Sequence, residues 1–437
     1  MAVTAILGEQ RGDEGKGRYV DMYMEDYDIG ARFGGGNNAG HTIVKNGVKF
    51  KVHGLPTSVV HEHAVSVMGN GVVVNPVWLV NKEMHKLASQ GIEITPDNLL
   101  IGYGAHLVLP HLIYEDKINE IGPNALGSTK SGIAPTYAAK AYHTGIRMDY
   151  ILQNVQSIDE FVYSSLVKQR SARSEAGLDP INEKDETAEF MEAAIRIGKF
   201  AADVSLFLNR ELRKDTPARV LAEGAQAFWL DTDHGMYPFV TSSNTTAGGI
   251  INGLGIPNEF VTHIIGVSKL IQSHVGGGPF VTEITEQDNP ELLQRLHGDM
   301  NAVDAERGTT TGRTRRLGYY DLPQIRRAQQ INGTHEMALT KFDWLPRFQD
   351  EFMICTSYTY KGEIHQLAPC SAYELEQCEP IYKPMPVWDE SIDISSARAF
   401  NDLPKEGRDI IETIEEETGV PITMIGIGPD RDQVIAR

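Results

Sequence analysis

Four glycines, three carboxylates and a lysine crowd into Gly8-Glu9-Gln10-Arg11-Gly12-Asp13-Glu14-Gly15-Lys16-Gly17 near the N-terminus. Glycines let the backbone curl until successive N–H groups point at one anion, and a helix N-terminus beyond them adds its positive end. Lys16 supplies a point charge for phosphate oxygens. The spacing is not that of a Walker A loop, and Gly17 stands where Ser or Thr would hold magnesium. Asp13 is therefore the candidate metal ligand. Burying an aspartate and a lysine in a purely structural turn would be costly, which favours phosphate binding.

Other segments could complete such a site. Phe33 to Thr42 is poor in side chains, so a ligand can approach closely, and Asn38, His41 and Thr42 offer polar groups. Glu223-Gly224-Ala225-Gln226 ends an apolar run in polar groups, and Thr241 to Gly249 sets hydroxyls beside a diglycine, a composition suited to phosphate or sugar. Thr309 to Arg316 is the concentrated basic stretch; in an extended segment Arg313 and Arg315 share one side, a fork for a dicarboxylate or phosphate. Leu339-Thr340-Lys341-Phe342-Asp343 follows an apolar strand. A carboxylate there can accept both N1–H and the exocyclic amine of guanine, whereas adenine would oppose it with a lone pair.

The elements that must position these groups alternate. Val3 to Leu7 reads as a buried strand feeding the glycine loop, and Glu14 to Glu25 as a helix. Ala64 to Met68 and Val72 to Val74, split by Gly69-Asn70-Gly71, read as a hairpin or a strand feeding a turn. Asn75 and Pro76 open a helix reaching Ala88. A single long helix is expected from Glu186 to Leu212, with Phe190, Ala194, Ile197, Ala201, Val204 and Leu208 on one face. Strands are expected at Arg219–Ala222, His263–Val267, Ala338–Thr340, Phe352–Ser357 and Ile422–Ile425. A late helix from Gly407 to Thr418 stops at Gly419 with Pro421 beyond. This alternation predicts an α/β fold around a large, mainly parallel sheet flanked by helices. One domain over residues 1–437, with a helical excursion at about 150–215, is the expected organisation.

Composition bounds the function. Of 437 residues, 59 are acidic and 40 basic, a formal charge of -19, unsuited to broad nucleic-acid or anionic-membrane binding. Anionic substrates must meet a local basic site. The three cysteines, Cys355, Cys370 and Cys378, lack metal-type spacing and read as buried free thiols. MAVTAILGEQ has no basic n-region, and no stretch approaches the ~18 apolar residues of a membrane span. A cytoplasmic protein is expected.

In order and register, these motifs resemble the adenylosuccinate synthetase family along nearly the whole chain. The resemblance runs through GDEGKG (Gly12–Gly17), NNAGHT (Asn37–Thr42), GNGVV (Gly69–Val73) and EGAQ (Glu223–Gln226). It continues through DHGMYPFVTSSNTTAGG (Asp233–Gly249), TTTGRTRR (Thr309–Arg316), LTKFD (Leu339–Asp343) and GIGPDR (Gly426–Arg431). It implies a GTP-binding α/β fold and a magnesium-dependent ligase. That enzyme joins L-aspartate to IMP through 6-phosphoryl-IMP, giving adenylosuccinate, GDP and phosphate. By resemblance Asp13 is the base for N1 and His41 the proton donor, with magnesium on Asp13 and the Gly40 carbonyl. GTP would be held by Gly12, Glu14, Gly15, Lys16, Gly17, Gly40, Thr42 and Arg315, and its base by Lys341, Phe342, Asp343, Gly426, Ile427 and Gly428. IMP would meet Asp13, Lys16, Asn38, His41, Thr129, Gln226, Thr241 and Arg313. Aspartate would meet Thr309, Thr310, Thr311, Gly312, Arg313 and Arg315.

The family is a homodimer, and the arginine that reaches across it to the IMP phosphate corresponds to His143 here. Arg11 replaces a usual Trp, Gly34 a Gln and Gly426 a Ser, and Lys130-Ser131-Gly132 departs from the usual forms. Two other readings stay open: the same chemistry on another 6-oxopurine nucleotide such as GMP or dGMP, and a GTP-binding regulator without catalysis. Pure GTP binding would need neither His41 nor the arginine fork.

Overall fold

The computed structural model describes residues 2–45, 48–123, 125–298, 306, 314–349 and 351–437. Its frame is a ten-stranded sheet: β1 Val3–Gly8, β2 Ile29–Arg32, β3 Val65–Met68, β4 Leu99–Gly102, β5 Ala201–Ala202, β6 Val220–Glu223, β7 Val261–Lys269, β8 Glu336–Thr340, β9 Ile422–Gly426 and β10 Val434–Ala436. In space the order is β10-β9-β8-β7-β1-β6-β2-β3-β4-β5. Every neighbouring pair is parallel except β9 with β10. The C-terminal ends of β1, β2, β6, β7 and β8 therefore open on one edge, where open α/β sheets bind ligands.

Alternation along β1 explains its central place. Val3, Ala5 and Leu7 pack on one face with Ile29, Val204, Leu208, Ile250 and Leu254, while Ile6 faces the other with Tyr19, Val20, Leu221, Ile265 and Ala338. A strand buried on both faces reads as a continuous apolar run, as VTAIL does. Helix α1, Lys16–Met24, starts directly after the glycine loop and lays Tyr19, Val20 and Met24 on the second face.

Several expectations need correction. The long helix from Glu186 to Leu212 is two helices, Glu183–Gly198 and Val204–Leu212, separated by β5. Gly198 ends the first, and the Asp203 side chain caps the second by accepting from Leu206 N at 3.0 Å. The intervening Ala201 and Ala202 pair with Ile101 and Gly102. Val73–Val74 forms no hairpin with β3; it pairs in parallel with His106–Leu107, so β3 is the strand feeding a turn. Helical structure does run from Pro76 to Ser89, capped by Asn75 at 3.0 Å, with a π-helical stretch at Leu79–Met84. Cys355 is buried, but Cys378 is half-buried and Cys370, in the turn before the short helix Ala372–Leu375, is exposed; all three are free thiols. No helix among the described residues is long and apolar enough to cross a membrane.

Candidate active site

The C-terminal edge of the sheet opens into a cleft of about 1120 Å³. The loop after β1 forms its floor. Gly15 takes φ +92 as the N-cap of α1, a left-handed conformation that suits glycine. Lys16 Nζ lies 2.7 Å from Glu14 Oε2, and Glu14 Oε1 accepts from Gly12 N at 2.7 Å. Glu14 is buried and its carboxylate pairs with Lys16, which fixes the ammonium at the floor of the cleft. Gly17 is needed for closeness: a Cβ there would lie 2.9 Å from His41 Cβ.

His41 opens the antiparallel pair His41–Lys45 and Val48–Val52, and its Nδ1 bonds Glu223 Oε1 at the end of β6. Thr57 N and Oγ1 donate to the same carboxylate at 2.7 and 2.8 Å. Burial pushes the Glu223 carboxyl up, but His41, Arg32 and the Thr57 N–H outweigh this and leave it below its ordinary value. Arg32, fully buried at the end of β2, donates to His53 O and to Gly36 O at 3.2 Å, which fixes the loop leading to His41. Asn38 in that loop reaches Thr241 Oγ1 at 3.4 Å. Gln226, at φ +56, lines the cleft with both amide atoms buried and without a hydrogen-bond partner among the described residues. A side chain so placed is built to meet a ligand.

Asp13, at φ +59, accepts at Oδ2 from Arg315 Nε at 2.9 Å and lies 2.7 Å from Nη2. The third nitrogen of that guanidinium, Nη1, lies 2.9 Å from Glu306 Oε2. Glu306 also meets Lys269 Nζ at 3.1 Å and Lys341 Nζ at 3.6 Å. Burial alone would raise the Glu306 carboxyl; Lys269 foremost, then Arg315 and Lys341, reverse this and hold it at about 2. Lys341 also covers the Trp344 ring, 3.4 Å from its centroid, with Arg347 at 3.6 Å.

Most of the expected residues meet in this one cleft. Gly12 to Gly17, Asn38, Gly40, His41 and Thr42 line it. So do Thr129, Gln226, Thr241, Arg315, Lys341, Asp343 and Gly428. The loop bearing Thr129 is pinned by Asp116, which accepts from Ser128 Oγ and Gly132 N at 2.8 Å each. Three residues expected at the base of GTP stand back. The Phe342 ring is in the core, stacked on Trp388 at 5.2 Å; Ile427 is buried; and Gly426 lies under Arg18, which donates to Gly428 O. His143 is exposed just after the helix Ile133–Ala141 and does not line the cleft of its own chain. Thr309, Thr310, Thr311, Gly312 and Arg313 lie outside the described residues.

Lys269, Glu306 and Trp344 carry no motif in the sequence, and Glu223 enters there only as part of the Glu223–Gln226 segment, without a role of its own. Only Glu223, a carboxylate closing an apolar strand, carried a visible signal. Arg11, which stands where the family usually has Trp, is buried, donates to Pro279 O at 2.7 Å and Gln324 Oε1 at 3.3 Å, and stacks 4.5 Å from the Phe280 centroid. It keeps the flat contact an indole could make.

A phosphate loop on the central strand of a parallel sheet, with an acid, a histidine and clustered cations around it, defines a nucleotide-using α/β enzyme. The family model for adenylosuccinate synthetase matches residues 5–435. An adenylosuccinate synthetase of Acetivibrio thermocellus is 39% identical over 437 residues, covering 100% of this chain and 99% of its own. One from Bacillus cereus is 38% identical over 435 residues, covering 99% and 98%. The chain belongs to the adenylosuccinate synthetase family and is a ligase of that type. A fully ligated adenylosuccinate synthetase from Plasmodium falciparum superposes with TM-score 0.88 at 34% identity over 100% of both chains. A succinoaminodeoxyadenylate synthetase from cyanophage S-2L, bound to dGMP and dATP, gives TM-score 0.59 at 18% identity over 99% of this chain and 95% of its own, a likeness of fold alone.

Proposed function

We propose that this protein joins L-aspartate to the 6-position of IMP at the expense of GTP, giving adenylosuccinate, GDP and phosphate, the first committed step of AMP synthesis. The observation that carries this reading is the meeting of Asp13, Lys16, His41 and Arg315 in one cleft. The 6-oxo group is a poor leaving group and has to be activated. Asp13 takes the N1 proton, so that O6 attacks the γ-phosphorus and GDP leaves. Glu223 keeps a hydrogen on His41 Nδ1, so a His41 that also donates from Nε2 is an imidazolium, whose charge Glu223 balances. That donor faces the charge passing between O6 and the phosphoryl group. The aspartate amine then attacks C6 and loses a proton, and phosphate departs.

Asp13 and the Gly40 carbonyl line the same cleft and are hard oxygen donors. No group of three His, Cys, Asp or Glu able to hold a metal exists among the described residues. That fits magnesium, which takes one or two protein oxygens and completes its shell with phosphate and water. When bound it would neutralise charge on the GTP phosphates. Lys341 and Asp343 read the guanine edge, and the segment after β8 carries both.

The same reading takes the chain as one domain, since a single sheet draws strands from residue 3 to residue 436. It takes the protein as a cytoplasmic homodimer in which the exposed His143 faces the IMP phosphate of the other subunit. The test is to incubate protein, GTP, magnesium and aspartate with IMP, GMP or dGMP, and to follow succinylated nucleotide and phosphate. Adenylosuccinate from IMP is expected. GTP binding without product from any nucleotide would overturn the enzyme reading, and product from dGMP or GMP but not IMP would overturn the choice of substrate.

A further inference from the structure

Lys269 ends β7, and Gln10 holds its backbone at both poles: Gln10 Nε2 donates to Lys269 O at 2.9 Å, and Lys269 N donates to Gln10 Oε1 at 2.8 Å. The lysine is thereby tied to the start of the phosphate loop. Its ammonium is buried and donates to Ser273 Oγ and Glu306 Oε2. Burial works against that charge, and Glu306 offsets only part of the effect, so the lysine is less basic than usual. Glu306 grips Arg315 twice, since its carbonyl accepts Arg315 N at 3.1 Å and its carboxylate accepts Nη1 at 2.9 Å. A guanidinium is a rigid plane. Once Nη1 is fixed, the Nε–Nη2 edge can face only one way, and here it faces Asp13.

A buried ion pair is weak evidence for stability, because desolvation of two charges can exceed their attraction. Its use has to be sought in orientation. We propose that Lys269 and Glu306 form a positioning pair for Arg315, setting the Nε–Nη2 edge of its guanidinium toward the cleft, where it meets Asp13 in this structure and would meet a carboxylate of L-aspartate when that substrate is bound. The inference rests on the reading of Arg315 as a substrate-carboxylate ligand.

Removing one partner leaves the other charge buried and unpaired, so Glu306→Gln or Lys269→Met alone costs folding stability. The decisive variant is therefore the double one, Lys269→Met with Glu306→Gln, which removes both charges together. It should melt within a few degrees of the wild type, yet its KM for L-aspartate should rise roughly tenfold or more, the effect of a misplaced charge-assisted bond. KM for IMP should stay within about twofold. Glu306→Asp, which keeps the charge but withdraws it from Arg315, should raise the aspartate KM in the same sense. An aspartate KM at the wild-type value in either variant, or KM for aspartate and IMP rising together, would overturn the proposal. Failure of the wild type to make adenylosuccinate would instead overturn the function on which it rests.

Discussion

Glu223 offers the sharpest test of the site, because its carboxylate is buried and shared by three donors, His41 Nδ1, Thr57 N and Thr57 Oγ1. Glu223→Gln keeps the volume but replaces one acceptor oxygen by an NH₂ group. Placed toward Thr57 N, that group sets donor against donor. Placed toward His41, it takes the hydrogen off Nδ1, and in both orientations the counter-charge for an imidazolium is gone. One charge-assisted hydrogen bond is lost either way, worth about 1.5–3 kcal/mol. At about 1.4 kcal/mol per decade this is a roughly 10- to 150-fold fall in turnover. The assay is single-turnover formation of GDP from enzyme-bound GTP and IMP, with thermal melting and GTP titration as controls. A folded variant with turnover within threefold of the wild type would refute the assignment of Glu223 as the group that orients His41.

Other changes probe the remaining parts. Gly17→Ala puts a methyl 2.9 Å from His41 Cβ; displacing the imidazole should cost about 10- to 100-fold in kcat, and normal kinetics would mean the strand start gives way freely. His143→Arg, which adds a fixed charge and a bidentate fork, should lower KM for IMP several-fold, measured with aspartate and GTP saturating; an unchanged value would assign the phosphate to another cation. Burial raises the Glu9 carboxyl from 4.5 to about 8, with Thr334 Oγ1 as its 2.6 Å donor. Between those values only the unfolded chain releases the proton, so stability falls as pH rises from 4.5 to about 8, by at most about 4–5 kcal/mol. Melting temperatures across that window should flatten in Glu9→Gln, and an unchanged slope would exclude Glu9 as the group responsible.

The frame was legible where one residue pattern had one solution. VTAIL followed by glycines and a helix is such a case, and so is GRDIIETIEEETG with its glycine stop. β2 was not, because Ile29-Gly-Ala-Arg32 places a buried arginine in four residues and shows no apolar pattern. The break between the helices at 198–204 was hidden because Ile197, Ala201, Val204 and Leu208 keep helical spacing across it. At the site, Asp13, Lys16, His41 and Arg315 stood out as charged or polar residues in motifs. Glu306 and Lys269 did not, since their meaning is a contact between positions 37 residues apart in sequence. Phe342 shows the opposite limit: it sits inside a recognisable tetrapeptide, yet its ring serves the core.

The edges of the sheet bear on how two copies could meet. One edge strand, β5, has two residues, and the other, β10, has three and runs antiparallel to β9. Such stubs expose too few unpaired N–H and C=O groups to template another strand. The ten-stranded sheet is thereby insulated against edge-to-edge polymerisation, and a subunit contact at either of its edges has to be made by side chains of flanking helices and loops, where its specificity can be written residue by residue.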